Sequence, residues 1–211
     1  AGFVHMGIRP LYSETVGLFG KTRAHEIWGL TVNNVNRMRK LAKEFRVEYE
    51  EKGATFISTN IRASSEMRKS VTWAQRDGFD VQYLNRDPLN RGFKAAVVHP
   101  KDFTIQPAQF THSLINSSGA TLYVNDEMST ITRNSVGLVV RTRKRLVHCS
   151  KVLLAVNGYA GQIHPFFHTL VEPQRGEILL TEPVPKIINT IGTDLRGFYF
   201  QQLPDGRLLF G

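Results

Sequence analysis

Residues 119–161 read GATLYVNDEMSTITRNSVGLVVRTRKRLVHCSKVLLAVNGYAG, and the reading of this stretch decides the fold. Four short apolar or alternating runs, 121–124, 129–132, 137–141 and 152–156, are separated by polar or glycine-bearing breaks. In the middle of the stretch Val136, Leu138 and Val140 share one strand face, with Gly137, Val139 and Arg141 on the other. The last run, VLLAV, is continuously apolar, the pattern of a strand covered on both faces. It breaks into Asn157-Gly158-Tyr159-Ala160-Gly161. A buried strand that ends in a glycine turn is where open α/β sheets seat their ligands.

Upstream, Pro107 stands at a natural first helical position, and Phe110, Leu114 and Ile115 follow at helical spacing. A helix feeding the strand at 121–124 is half of an α/β unit. Further back lies the longest periodic signal. Ala24, Ile27, Trp28, Val35, Met38, Leu41, Ala42, Phe45 and Tyr49 form one stripe, opposite Arg37, Lys40, Lys43 and Glu44. Thr22 is the expected cap, and the helix is expected to run from Lys21 to about Glu51 and stop at Gly53. A shorter helix capped by Ser13 precedes it, in a segment broken by Gly7 and Pro10. Residues 54–58 suit a strand, Ser64 or Ser65 opens a helix to Arg76, and residues 81–84 and 93–98 are strand-like. Downstream, Pro204-Asp205-Gly206 joins two runs, 198–203 and 207–210, into a hairpin. The expected fold class is α/β (α+β): a mostly antiparallel sheet with helices on one side, and a parallel pair at 121–124 and 152–156.

The chain of 211 residues carries a formal charge of +9. Such a field favours anionic partners. The basic residues are spread between the helix (Arg37, Arg39, Lys40, Lys43, Arg46) and a turn (Arg141, Arg143, Lys144, Arg145), which is the pattern of a solvated surface rather than a nucleic-acid patch. No apolar run approaches the length of a membrane span. The opening AGFVHMGIRP has no basic stretch before a long apolar core, so no signal peptide is expected. The single Cys149 excludes a disulfide within this sequence and fits a reducing, cytoplasmic compartment.

The order of these pieces resembles the middle portion of FAD-dependent amine and amino-acid oxidoreductases of the D-amino-acid oxidase/glycine oxidase (DAO) family. The similarity rests on the helix, the Gly119-Ala120 strand, the β-meander, the VLLAV strand and Ala155-Val156-Asn157-Gly158-Tyr159. Elsewhere, His99-Pro100 with Gln106-Pro107-Ala108-Gln109 resembles the family's segment entering the helix before Gly119. Pro173-Gln174-Arg175-Gly176-Glu177 resembles its Pro-x-x-Gly-Gln/Glu strand, and Pro204-Asp205-Gly206-Arg207 with Gly211 its P-D-G-R-x-x-x-G strand pair. Ala1-Gly2-Phe3-Val4 resembles the end of its flavin-side glycine loop. The resemblance implies a partial FAD-binding Rossmann-like domain. It divides the chain into substrate-domain elements with a flavin-side loop (1–98), a cofactor-domain remnant (99–161) and further substrate-domain strands (162–211). It also implies hydride transfer from an amine-bearing carbon to flavin, followed by imine hydrolysis, in a protein longer than this stretch. The stretch alone is expected to be inactive and to retain little FAD.

A dinucleotide fold needs glycines where a strand enters a helix, so that backbone N–H groups reach the pyrophosphate. No Gly-x-Gly occurs among the 17 glycines; the resemblance places that turn before residue 1. Carried over residue by residue, Gly2 lies near the flavin. Glu127 and Met128 either meet the adenine or form an ordinary turn. Ala155, Asn157 and Gly158 pass beside the pyrophosphate and ribitol. Tyr199 is either a core strand tyrosine or a hydroxyl for a substrate carboxylate. Arg175 either orients the substrate or forms a surface ion pair. No side chain is assigned a catalytic role. His164 and His168 suit a metal only on a helix, which Pro165 opposes, so no metal is expected. The expected partners are a small-molecule amine or amino acid and, through an exposed sheet edge, a second copy of the chain. The alternative function is a non-enzymatic basic domain that binds an anionic partner.

Overall fold

A computed structural model describes residues 2–9, 11–194 and 197–211; Ala1 and Pro10, quoted above, lie outside them. The chain divides into two compact units, Ala1–Ser117 with Glu177–Gly211, and Ser118–Gly176. The first unit holds β1 (Phe3–Val4), α1 (Tyr12–Phe19), α2 (Lys21–Glu44), β2 (Tyr49–Glu50), β3 (Ala54–Ser58), α3 (Ile61–Arg76), β4 (Gln82–Leu84), β5 (Ala95–His99), β6 (Phe103–Ile105) and α4 (Pro107–Ser117). The second holds β7 (Met128–Asn134), β8 (Gly137–Thr142), β9 (Leu146–Cys149) and a single turn, α5 (Ala160–Ile163). The chain then returns to the first unit with β10 (Leu179–Pro183), β11 (Ile191–Asp194), β12 (Tyr199–Gln202) and β13 (Arg207–Phe210).

The first unit is built on a seven-stranded sheet, ordered β10-β13-β12-β11-β3-β5-β4. Every pairing is antiparallel except β11 on β3. A small sheet, β1-β6-β2, lies in the same unit. The apolar stripe of α2 is the reason the helix exists: Ala24, Trp28, Val35 and Ala42 are buried on it, and Ile27, Met38 and Leu41 pack beside them. Burying each large apolar side chain contributes about 1.5–3 kcal/mol. With Val71 and Ala74 of α3 they cover one face of the sheet, where Val97 points. Tyr12, Trp28 and Phe79 form an aromatic knot, with ring centroids 4.9–5.5 Å apart.

Four helix ends differ from expectation. The helix α2 stops at Glu44, not near Glu51. Arg46 turns left-handed (φ 54°) and the Val47 N–H bonds Ala42 O at 2.9 Å, a Schellman stop without its usual glycine. Tyr49 is thereby released into β2. The helix begins after Gly20, so Thr22 sits inside its first turn. Asn60, not Ser64 or Ser65, caps α3, its Oδ1 accepting from the Arg62 N–H at 2.9 Å. Helix α1 starts at Tyr12, so Ser13 lies within it, and the Glu14 carboxylate accepts from the Leu11 N–H at 2.8 Å.

The second unit is the expected meander, β7-β8-β9, antiparallel throughout. The two segments that were to flank it as parallel strands are not strands. Residues 121–127 and 151–156 carry no strand pairing among the described residues, and Leu153 is 91 % exposed. A strand is made by its neighbour's hydrogen bonds. Among the described residues no strand runs beside VLLAV, so its apolarity alone does not order it into a sheet.

Candidate functional site

In the first unit a cavity of about 320 Å³ opens between the sheet and the segment that joins β1 to α1. Residue spacing explains why these side chains meet there. Successive strand residues point to opposite faces, so Ala54 and Phe56 of β3, Val97 and His99 of β5, Thr193 of β11 and Tyr199 of β12 all face the cavity. Their neighbours Ile57, Phe198 and Phe200 line a separate hollow. Gly192, opposite Phe200, has no room for a side chain, since a Cβ would lie 1.9 Å from that ring. The cavity wall is mostly apolar, with Tyr199, Thr193, Ser70, His5, Arg9 and His99 as its polar residues.

Tyr199 is held by two backbone hydrogen bonds to Gly211, 2.8 and 3.0 Å. Its ring lies 5.8 Å from that of Phe3, and its hydroxyl hangs where a Cβ on Gly211 would be, 2.3 Å away. That hydroxyl makes no hydrogen bond among the described residues. Gly2 adjoins this wall. Its φ is +70°, its C=O accepts from the Ile105 N–H at 2.9 Å, and a Cβ there would strike the Ile105 carbonyl at 2.1 Å. Only glycine permits that approach. The structure thus brings Gly2, Phe3 and Tyr199 to one place. Arg9 donates to Asp194 O at 3.2 Å across the mouth.

The other expected site residues belong to the second unit. Asp126 locks the turn before β7: it pairs with Arg145 and accepts from the Lys144 N–H at 2.9 Å. Burial opposes its ionisation, yet the hydrogen bonds from Thr142, Arg145 and Lys144 hold its carboxyl below the usual range. Arg145 also lies over the Tyr123 ring at 4.1 Å. Glu127 is exposed, its C=O taken by the Arg143 N–H at 2.8 Å, and Met128 begins β7 opposite Thr142. Tyr123, Asn125, Glu127 and Arg143 line a concavity beside this turn. Ala155 is exposed, Asn157 adopts φ 50°, and Gly158 sits where a Cβ would meet Pro173 at 3.3 Å. Arg175 is exposed, and no carboxylate pairs with it among the described residues. His164 caps the turn at Pro165–Phe167 through its Nδ1, 3.2 Å from the Phe166 N–H, so His164 and His168 do not share a helix face.

His5, Arg9, Phe56 and Thr193 were not singled out from the sequence, and His99 was named only as part of the segment before α4, not as a site residue. The one available signal was His99 three residues before Asp102, a spacing that places two polar side chains across a tight turn.

The residues present suit a flavin in two respects. The Phe3 and Tyr199 rings, tilted 51° to one another, and the side-chain-free Gly2 offer apolar surface that the face or edge of an aromatic ring system can pack on. In the other unit, β7 is an edge strand whose outer backbone groups are open, beside a turn that Asp126 holds rigid. No helix among the described residues is long and apolar enough to cross a membrane.

Comparison with the curated proteins finds no match. Among solved structures, glycine oxidase from Geobacillus kaustophilus superposes with a TM-score of 0.81 at 21% identity, covering 100% of this chain and 59% of that one. Glycine oxidase from Bacillus cereus gives 0.72 at 23% identity, with 100% and 59% coverage. L-proline dehydrogenase from P. horikoshii gives 0.71 at 16%, with 98% and 58% coverage. These likenesses show the fold, and this chain spans somewhat under three fifths of each relative's length. The sequence model of the FAD dependent oxidoreductase family, DAO, matches residues 1–211. That match leaves the alternative of a non-enzymatic basic domain without support. The chain belongs to the DAO family of FAD-dependent oxidoreductases.

Proposed function

We propose that the protein oxidises an amine or amino acid, with the cavity beneath Phe3 and Tyr199 as the substrate's seat. The observation that carries this is Tyr199 at the cavity wall, its ring beside Phe3 and its hydroxyl without a hydrogen bond among the described residues. The flavin, when bound, supplies the acceptor for the hydride that leaves the amine-bearing carbon. The chain's own part is to hold that carbon still and dry. Tyr199 would donate to a substrate carboxylate. Arg175, in the second unit, is the other proposed substrate-binding residue. Phe3, Phe56 and Val97 exclude water, which strengthens the polar contacts that remain. Gly2 would lie along the flavin ring. Glu127, Met128, Ala155, Asn157 and Gly158 would hold the nucleotide half through backbone groups.

The same reading extends to the setting. The lone Cys149 suits the cytoplasm. The edge strand β10, with Leu179 at 60 % and Leu180 at 44 % exposure, suits pairing with a second copy.

The test uses the whole protein. It should purify with flavin absorbance, and a panel of amino acids should bleach it under anaerobic conditions. Tyr199→Phe should leave the flavin bound and raise KM for the amino acid about tenfold, the scale of one lost hydrogen bond to a charged group. A protein that binds no flavin, or a flavin that no amine reduces, sinks the proposal.

A further inference from the structure

The cavity's buried polar groups include an imidazole to which the role proposed above assigns nothing. His99 ends β5 at 5 % exposure and faces the cavity between Phe56, 4.5 Å away ring to ring, and Trp28, 6.2 Å away. Its Nδ1 lies 3.2 Å from Asp102 Oδ2, close but off the line of a good hydrogen bond. Asp102 is fully buried, and its Oδ1 accepts from the Met6 N–H at 3.0 Å. That bond also ties the segment roofing the cavity to the end of the sheet.

A carboxylate beside Nδ1 favours the tautomer that keeps its proton there. The other nitrogen, Nε2, is then an acceptor. Of the two nitrogens only Nδ1 is sealed from solvent, and Nε2 has no hydrogen bond among the described residues. The result is a mostly aromatic and aliphatic pocket in which this acceptor is backed by a buried carboxylate. An amine without a side chain would leave both the apolar space and this acceptor unused. A donor on the substrate would meet this acceptor among apolar walls that strengthen a hydrogen bond.

We infer that the substrate's side chain is an apolar body, of aromatic-ring size, that carries a hydroxyl or ring N–H at its far end and donates it to His99 Nε2. This rests on the cavity being the amine's seat. His99 is the residue that selects for the donor. Asp102 is a positioning residue that holds the imidazole's tautomer and angle.

The experiment measures binding rather than turnover, in the flavin-loaded whole protein. Two probe pairs differ only by a ring hydroxyl: tyramine against phenethylamine, and 4-hydroxyphenylacetate against phenylacetate. Affinities are read by calorimetry and by quenching of tryptophan fluorescence, since Trp28 lines the cavity. In at least one pair the hydroxylated member should bind about tenfold or more tightly, as expected of a site that hydrogen-bonds a substrate hydroxyl. His99→Leu should bring that ratio to about one while leaving the plain probe within about threefold of its original affinity. Asp102→Asn should reduce the ratio without abolishing it. His99→Gln, whose amide oxygen also accepts, should keep part of the preference and serves if the leucine variant melts early.

Equal affinities in the unaltered protein, a ratio unmoved by either His99 variant, or no binding by any probe overturns the inference. A histidine that merely packs the core would lower the melting temperature and leave the ratio alone. The two readings fail separately. Amines that reduce the flavin with no hydroxyl preference defeat only this inference, and a His99-dependent preference without flavin reduction defeats only the oxidoreductase assignment.

Discussion

At the scale of single residues, Tyr12 and Asp77 show how a buried polar pair is sustained. The Tyr12 hydroxyl, fully buried, donates to Asp77 Oδ2 at 2.5 Å, and Lys21 Nζ approaches Asp77 Oδ1 at 3.1 Å. The Tyr12 hydrogen bond foremost, then Lys21, hold the Asp77 carboxyl below its usual range, against the opposing effect of burial. Burial first, then the Asp77 contact, push the Tyr12 phenol well above its own. The lowered Asp77 value means a contribution to stability that is present above the ordinary carboxylate pKa and is lost as pH falls through the folded value. The raised Tyr12 value means a contribution that is present below the ordinary phenol pKa and lost as pH climbs past it. Tyr12→Phe should therefore cost about 1.5–3 kcal/mol near neutral pH and flatten both the acid and alkaline limbs of a denaturation series. A variant with unchanged limbs would show that the pair is not what shapes them. None of this was legible beforehand, because Tyr12 and Asp77 stand 65 residues apart. Tyr199 was legible as a candidate only through the family resemblance; its hydroxyl without a partner among the described residues and its closeness to Phe3 are facts of folding.

At the scale of elements, local rules carried far but failed at the stops. The 54–58 strand and the helix opening at Pro107 were read correctly because alternation, stripe and proline agreed there. The end of α2 was misread because its stripe continues through Phe45 and Tyr49 in register. Only the Arg46 turn breaks it, and arginine carries no local signal for a left-handed conformation. Arg46→Gly should raise stability by about 1 kcal/mol, since it removes the cost of a side chain in that conformation, read as a shift of the urea midpoint at constant slope. No gain would mean that the exposed Arg46 side chain repays the strain elsewhere. Strand β11, Ile-Gly-Thr-Asp, was missed for a related reason. It is short and glycine-bearing, and its strand character comes from parallel pairing with β3 and from the Phe200 ring laid over Gly192.

At the scale of the whole molecule, the two units differ in what orders them. The first has a buried core shared by helices and sheet. The second is a meander flanked by extended segments with no ladder partner among the described residues. Amide exchange should record this in the 211-residue chain. Backbone N–H groups at 121–124 and 152–156 should exchange orders of magnitude faster than those of β3 and β5, whose bonds open only when the core does. Comparable protection would show that those segments are paired in solution. The VLLAV run, expected as a covered strand whose end seats a ligand, is thus apolar in sequence but is not a strand among the described residues.

What the sequence determined by itself was the local grammar: the apolar stripe of α2, the meander, the 203–207 hairpin, and the ordered set of motifs that marks the family. These depend on spacing along the chain, which periodicity reads directly. Tertiary structure alone decided which strand lies beside which, where α2 stops, and that Phe3, Tyr199, His99 and Asp102 surround or back one cavity. Those outcomes depend on contacts between residues tens to nearly two hundred positions apart, and no local pattern encodes a neighbour that the chain reaches only by folding.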